Sequence, residues 1–239
     1  METTPRLLPF VLVGVFAVLL IGGIVLSLST APPLDQQQLR DGATATSSAA
    51  GFALLDTNSV GPLSSGKAAS GSAETVAFRV LYQAPDAVEE SEAGPGGETM
   101  SIILIGDRRF QGSGSQWTAL PPSRGAGAGA VKTILSPLEA AAGATKVTRQ
   151  GDLYRFVPTS SDRFLTEVLG VAPSKLSSPR LTAVVRAGSL TRETITATYG
   201  RERLEVDLVY SRIGSAPPVT APPSSSLVPG PTSSTPTSP

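Results

Sequence analysis

Three runs near the carboxyl end alternate apolar and polar residues with a period of two: Leu181–Ala187, Arg192–Tyr199 and Arg203–Ile213. Leu204, Val206, Leu208 and Tyr210 fall on one side of the last run, and Arg203, Glu205 and Asp207 on the other. In the middle run Ile195, Ala197 and Tyr199 oppose Thr194, Thr196 and Thr198. That period belongs to a half-buried β-strand. The links at Gly188-Ser189 and Gly200-Arg201 leave room only for tight turns, so the runs form an antiparallel meander. Its apolar face needs cover, from helices, another sheet or a ligand.

The middle of the chain supplies further elements. Phe52 to Asp56 reads as a short strand, and Val76–Tyr82 as a longer one with Val76, Phe78, Val80 and Tyr82 on one face. Met100 to Ile105 is apolar on both faces and suits a covered central strand. Gly106-Asp107 turns the chain into Arg108–Gln111, and Gln116 to Leu120 carries the only Trp. Pro121-Pro122 ends that strand, and the Ala/Gly-rich stretch after it reads as a flexible linker. Ser136-Pro137-Leu138-Glu139 has the form of a capping box with Pro at the first helical position, and Gly143 lies where a helix ends. Lys146 to Val157 is strand-like. A second helix is expected from Ser160 or Ser161 to just before Gly170, with Phe164, Leu165, Val168 and Leu169 as its buried stripe.

Both ends differ from this middle. Leu7 to Leu28 is 22 residues without a charge, about 33 Å as a helix and enough for a ~30 Å hydrocarbon core. A secretory apolar region is usually only ~7–15 residues, so the length favours a retained anchor. The other reading is a cleaved leader, since Ser27-Leu28-Ser29 has the small-x-small form of a cleavage site. The expected organisation is an anchor at 1–30, a stalk at 31–51 with at most a helical turn around Asp35–Leu39, an α+β domain at 52–214, and a disordered tail at 215–239. The tail holds 8 Pro, 7 Ser and 4 Thr and no charge, a composition that cannot bury enough apolar surface to order itself. A short amino end before the span and a large domain after it place that domain on the extracytoplasmic side.

Composition removes whole classes of function. The chain has no Cys and no His, which excludes disulfides, thiolate and histidine triads, and most zinc or non-haem iron sites. Nineteen Lys+Arg balance nineteen Asp+Glu, and without surplus positive charge nucleic acid is not an expected partner. Gly61 to Lys67 matches the start of a phosphate-binding loop, but Ala68 stands where Ser or Thr would hold magnesium. Ser64 and Lys67 fit S-x-x-K without the S-D-N and K-T-G partners that chemistry needs. Glu89, Glu90 and Glu92, followed by Gly94 to Glu98, read as a solvated hairpin loop without the spacing of a calcium loop. No cofactor, metal or enzymatic activity is expected.

Several local strings, taken in order, resemble the LolA/LppX-like family of exported lipid and lipoprotein carriers. They are Tyr82-Gln83-Ala84-Pro85-Asp86 closing a strand, Ile105-Gly106-Asp107 opening a hairpin, Gln116-Trp117 soon after, and the final meander running from Tyr210 to Val219. The resemblance covers about residues 52–223 and implies a curved antiparallel half-barrel covered by two short helices, with a hydrophobic cavity for an acyl chain of a lipid, glycolipid or lipoprotein. LppX-type members are attached through a lipidated Cys; this chain has an apolar segment instead, and a tethered carrier cannot shuttle freely between membranes. The expected cavity walls are Phe78, Val80, Tyr82, Ile102, Leu104, Trp117, Ile195, Tyr199, Leu204, Val206 and Leu208, with Arg108 and Arg109 as head-group contacts. The other reading open at this point is an envelope scaffold domain whose core is filled by its own side chains.

Overall fold

The computed structural model describes residues 32–63, 73–93, 99–159 and 161–228. The anchor segment, the Ser64–Lys67 string, the Gly94–Glu98 loop and the end of the tail lie outside these residues. Among the described residues no helix is long and apolar enough to cross a membrane. From Asp35 onward the described residues form one compact unit.

Helix α1 spans Leu34–Ser47, and strands β1 to β6 follow at Gly51–Pro62, Glu74–Gln83, Ala87–Ala93, Thr99–Ile105, Arg108–Ser113 and Gln116–Leu120. Helix α2 is Ala126–Ala142, β7 is Thr145–Gln150, β8 is Leu153–Val157 and α3 is Ser161–Leu169. The meander is β9 (Leu176–Arg186), β10 (Ser189–Tyr199) and β11 (Glu202–Ser211), and a two-residue β12 is Leu227–Val228. All twelve strands join one curved, unclosed sheet in the order β12-β6-β5-β4-β3-β2-β1-β11-β10-β9-β8-β7. The pairings are antiparallel except β12 on β6. The first and last thirds of the chain meet at the centre, where β1 pairs with both β2 and β11.

Turn chemistry fixes this register. Ser189 pairs with Arg186, leaving Ala187 and Gly188 as the two turn residues. Both have positive φ, 48° and 78°, as the favoured two-residue hairpin turn requires. β1 runs well beyond the short strand expected from Phe52 to Asp56. Asn58, Ser59, Gly61 and Pro62 are poor strand formers, but pairing on both edges carries the ladder through Asn58 and Ser59, and pairing with β11 carries it on through Gly61 and Pro62.

Residues directly opposite in a ladder share a face, so the register divides the side chains. The inner face carries Phe52, Leu54, Val80, Tyr82, Val88, Ile195, Val206, Leu208 and Tyr210, which form the main core with the three helices. Phe52 packs on Tyr82 at 4.8 Å between ring centroids and edge-on against Tyr210 at 5.4 Å. On the outer face Ala87, Ile103 and Phe110 form a second, smaller core with Val219, and Trp117 and Leu227 pack at its margin.

Other segments also depart from the sequence reading, and Lys146 to Val157 is a hairpin of two strands. The stalk is helix α1, and three helices, not two, cover the described sheet. Leu39, Ala43 and Thr46 are fully buried on one side of α1, and burying Leu39 alone is worth roughly 1.5–3 kcal/mol. The Thr46 hydroxyl donates to the Leu190 carbonyl at 3.0 Å. Gln36 and Arg40 donate to the Ala144 and Ala142 carbonyls at 2.8 and 3.2 Å, holding the end of α2. Gln36 and Gln38 hide this role in the sequence because they face hydrogen-bond partners rather than the core. α2 begins eleven residues before its expected start, taking in the Ala/Gly linker, so the capping-box string and Pro137 lie inside the helix. Val131, Leu138 and Ala141 give it a buried stripe, and the Asp107 carboxylate accepts from the Gly125 N–H at 2.6 Å, at its positive end. The acidic run Glu89–Glu92 is strand β3 rather than loop, paired on both sides. The first part of the tail is ordered: Val219 is buried, its N–H donates to Gln83 Oε1 at 2.9 Å, and β12 pairs with Trp117 and Thr118 of β6. Apolar side chains exposed on the outer face by strand alternation supply the surface that holds it.

Two glycines in α2 give opposite expectations. A Cβ at Gly127 would lie 2.1 Å from the Asp86 carbonyl oxygen, whereas one at Gly129 would meet nothing within 4 Å. Gly129→Ala should therefore stabilise the domain by about 0.5–1 kcal/mol through helix propensity. Gly127→Ala should destabilise it by about 1–3 kcal/mol through overpacking. Chemical denaturation of both variants checks this; stabilisation by both would contradict the close seating of α2 on the β2–β3 and β4–β5 turns.

Candidate functional site

The space between sheet and helices is not filled. A cavity of about 460 Å³ lies where β1, β2, β3 and β11 pass beneath α2 and α3. Its apolar wall is Leu54, Phe78, Val80, Val206 and Leu208, and Ile134, Pro137 and Val168 form the helical side. The register builds that wall: Leu54 stands opposite Val80, and Asp56 opposite both Phe78 and Leu208. Asp56, Asn58 and Glu90 add polar groups from the strands, and Thr133 and Ser136 from α2. Leu54, Val80, Val206 and Leu208 are buried while Glu90 is exposed, so Glu90 marks the mouth.

The carboxyl groups are poorly compensated. Burial, then the neighbouring Glu90 charge, pushes Asp56 up to about 6; Asn58, donating to its Oδ1 at 3.0 Å, opposes that rise. Glu90 is raised by partial burial and then by Glu92. Further inside the sheet, Glu193 stands opposite Leu208 on the same face. Glu193 is fully buried, and neither carboxyl oxygen has a hydrogen-bond partner; the Tyr210 hydroxyl also lacks one. Burial drives Glu193 well above the usual carboxylate range, and burial with the Glu193 and Asp56 charges raises Tyr210. Among the described residues no group of three or more His, Cys, Asp or Glu is placed to hold a metal ion.

The residues singled out from the sequence separate into three sets. Phe78, Val80, Val206 and Leu208 line the cavity. Tyr82, Ile195 and Leu204 are buried on the same face without lining it. Ile102, Leu104 and Tyr199 also share that face: Ile102 and Leu104 lie opposite Glu90 and Val88, and Tyr199 follows Ile195 and Ala197 in alternation. Ile102 and Tyr199 are solvent-exposed. Trp117 is misplaced by the sequence reading. It belongs to the outer face, next to the second core, with its indole against Gly112. Arg108 and Arg109 do not line the cavity either; they begin β5, and Arg108 is exposed. Their hairpin lies at the end of the sheet where α2 starts, away from the mouth. The sequence reading missed Leu54, Asp56 and Asn58 as wall residues. The available signal was that β1 continues the inward alternation past Asp56, with two polar residues in inward positions.

No known family profile and no curated protein matches the sequence. Among solved structures, lipoprotein LppX of Mycobacterium tuberculosis matches with TM-score 0.51 at 16% identity, over 80% of this chain and 100% of that one. This domain has the LppX-like fold. LprF from Mycobacterium bovis matches at TM-score 0.48 and 14% identity, over 79% of this chain and 96% of LprF. A LolA superfamily protein from Nitrosomonas europaea matches at 0.31 and 12%, over 74% and 91%. Within the LppX-like fold, the cavity described above lies on the helix-covered face of the half-barrel.

The buried acid has a measurable consequence. Folded Glu193 keeps its proton at pH values where the unfolded chain releases it, above about 4.5. The unfolded state therefore binds fewer protons, and stability falls as pH rises, by up to ~1.4 kcal/mol per unit, until the folded group itself titrates. Glu193→Gln should remove that slope, so its advantage over the parent in thermal melts should grow from about pH 5 to about pH 7. A constant difference across that range would contradict a protonated Glu193.

Proposed function

We propose that this protein is a membrane-anchored, extracytoplasmic binder of an acyl chain, taken non-covalently into the half-barrel cavity from a lipid, glycolipid or lipoprotein. The observation that carries the reading is the cavity itself, about 460 Å³ with a mainly apolar wall. That volume falls within the ~300–1,000 Å³ of typical small-molecule sites. Each methylene moved from water into it contributes roughly 0.8 kcal/mol, so a short stretch of chain outweighs any single polar contact. The fold shared with the lipoprotein LppX is consistent with this use. The uncharged Leu7–Leu28 run supplies the anchor in this reading. The domain then comprises α1, the sheet with α2 and α3, and the strap from Ser215 to Val228, followed by the remaining Pro/Ser/Thr-rich residues. The scaffold alternative requires a core closed by its own side chains, and the cavity weighs against it.

A photoreactive fatty acid tests the reading directly. Irradiated with the full-length chain held in amphipol, it should label peptides containing Leu54, Val80 and Val206. Val206→Trp, which fills the cavity, should cut that labelling to a small fraction, while Ile103→Val on the outer face should leave it unchanged. Labelling that ignores Val206→Trp, or that maps to the outer face, contradicts acyl binding in the cavity.

A further inference from the structure

The cavity is asymmetric in charge. Asp56 and Glu90 face it from strands on either side of β2, close enough for the Glu90 charge to disfavour ionisation of Asp56. None of its described lining residues is Lys or Arg. The nearby acids bring no compensation. Glu92 adds negative charge beside Glu90, and fully buried Glu193 stands one strand past Leu208 with both carboxyl oxygens unpartnered. The Arg192 guanidinium is engaged elsewhere, on Asp207 at 2.7 and 2.9 Å. Among the described lining residues, the polar groups of the helical side are the hydroxyls of Thr133 and Ser136.

Partly buried carboxylates need a cation or hydrogen-bond donors. A phosphate, sulfate or carboxylate brought to this mouth would add like charge and no donor, which is a mechanism of rejection. A neutral hydroxyl would donate one hydrogen bond but leave the repulsion between Asp56 and Glu90 in place. An ammonium supplies positive charge and several donors in one compact group. The layout suits an amphiphile, since the apolar wall is buried and the acid pair leads from half-buried Asp56 to exposed Glu90. We infer that the cavity selects an amphiphile ending in a protonated amine, with hydrocarbon against Leu54, Val80, Val206 and Leu208 and the ammonium between Asp56 and Glu90. This rests on the reading of the cavity as an acyl-chain site and names the head group that site takes.

The test is calorimetric titration of the full-length chain in amphipol with three probes of equal chain length below their micellar concentrations: dodecylammonium, dodecyl phosphate and dodecyl glucoside. Dodecylammonium should bind about tenfold or more tightly than dodecyl phosphate, the scale expected when a charge pair replaces a like-charge contact. The glucoside should fall between them. Asp56→Asn combined with Glu90→Gln keeps the side-chain shapes and removes both charges; it should abolish the preference for dodecylammonium over dodecyl phosphate. Equal binding of all three probes by the parent protein overturns the amine inference and leaves the acyl-chain reading standing. Tighter binding of phosphate or glucoside than of amine does the same, as does a ranking that survives in the double variant. If no probe binds, both fall together. The ranking on the unaltered protein is decisive even if the double variant folds poorly.

Discussion

A bent sheet of twelve strands exposes an inner surface that must be kept from water, and three helices of 14, 17 and 9 residues are the cover available among the described residues. The organisation of the domain follows from where this cover is tight and where it is not. At one end α1 seals the sheet through Leu39, Ala43 and Thr46, and the Phe52–Tyr82–Tyr210 ring cluster fills the interior beside it. Under the middle of α2 and the end of α3 the cover stands off from the sheet, and the cavity is the space that remains. The outer face meets the same demand more simply, because the strap carrying Val219 lies across it.

The polar groups in this interior need a separate account. Ordinary cores avoid carboxyls that lack partners, because each costs desolvation without return. Here Asp56 has one amide donor, Glu90 has the solvent at the mouth, and Glu193 has neither. Their inward positions are forced by strand alternation, since Asp56 lies two residues from Leu54 and Glu90 two from Val88. The cost falls on the part of the sheet beneath and beside the cavity.

Much of the strand layout was legible because alternation and glycine turns act locally. The meander, the β2 alternation around Val80 and the Gly106 turn can be read from neighbouring residues alone. The rest depended on contacts distant in sequence. The Gln-rich α1 has only Leu39 as an obvious core residue, and its partners, Leu190, Ala142 and Ala144, lie over a hundred residues away. The Ala/Gly run that opens α2 signals a linker until Gly127 is seen packed against the Asp86–Gly106 backbone. Trp117 and the apolar Met100–Ile105 strand show the limit most clearly. When both faces of a strand are covered, composition cannot say which face looks into the cavity, and only the register of β3 to β6 places Ile103 and Trp117 outside. For the site, four of the thirteen lining residues, Phe78, Val80, Val206 and Leu208, were already suspected for their apolarity. Asp56 was missed because a charge at the end of a short strand reads as solvent-facing, and Glu90 because the acidic Glu89–Glu92 cluster reads as a loop.

The central claim is that the helix-covered face holds an open, ligand-accepting cavity rather than a core closed by its own side chains. Electron density from crystals of protein purified from its native envelope, without added lipid, tests it most directly. The account predicts elongated density, unaccounted for by protein, running from Val206 and Val80 towards Asp56 and Glu90. Side chains of Phe78 and Ile134 rotated together to fill that volume, with no density left between sheet and helices, would contradict it.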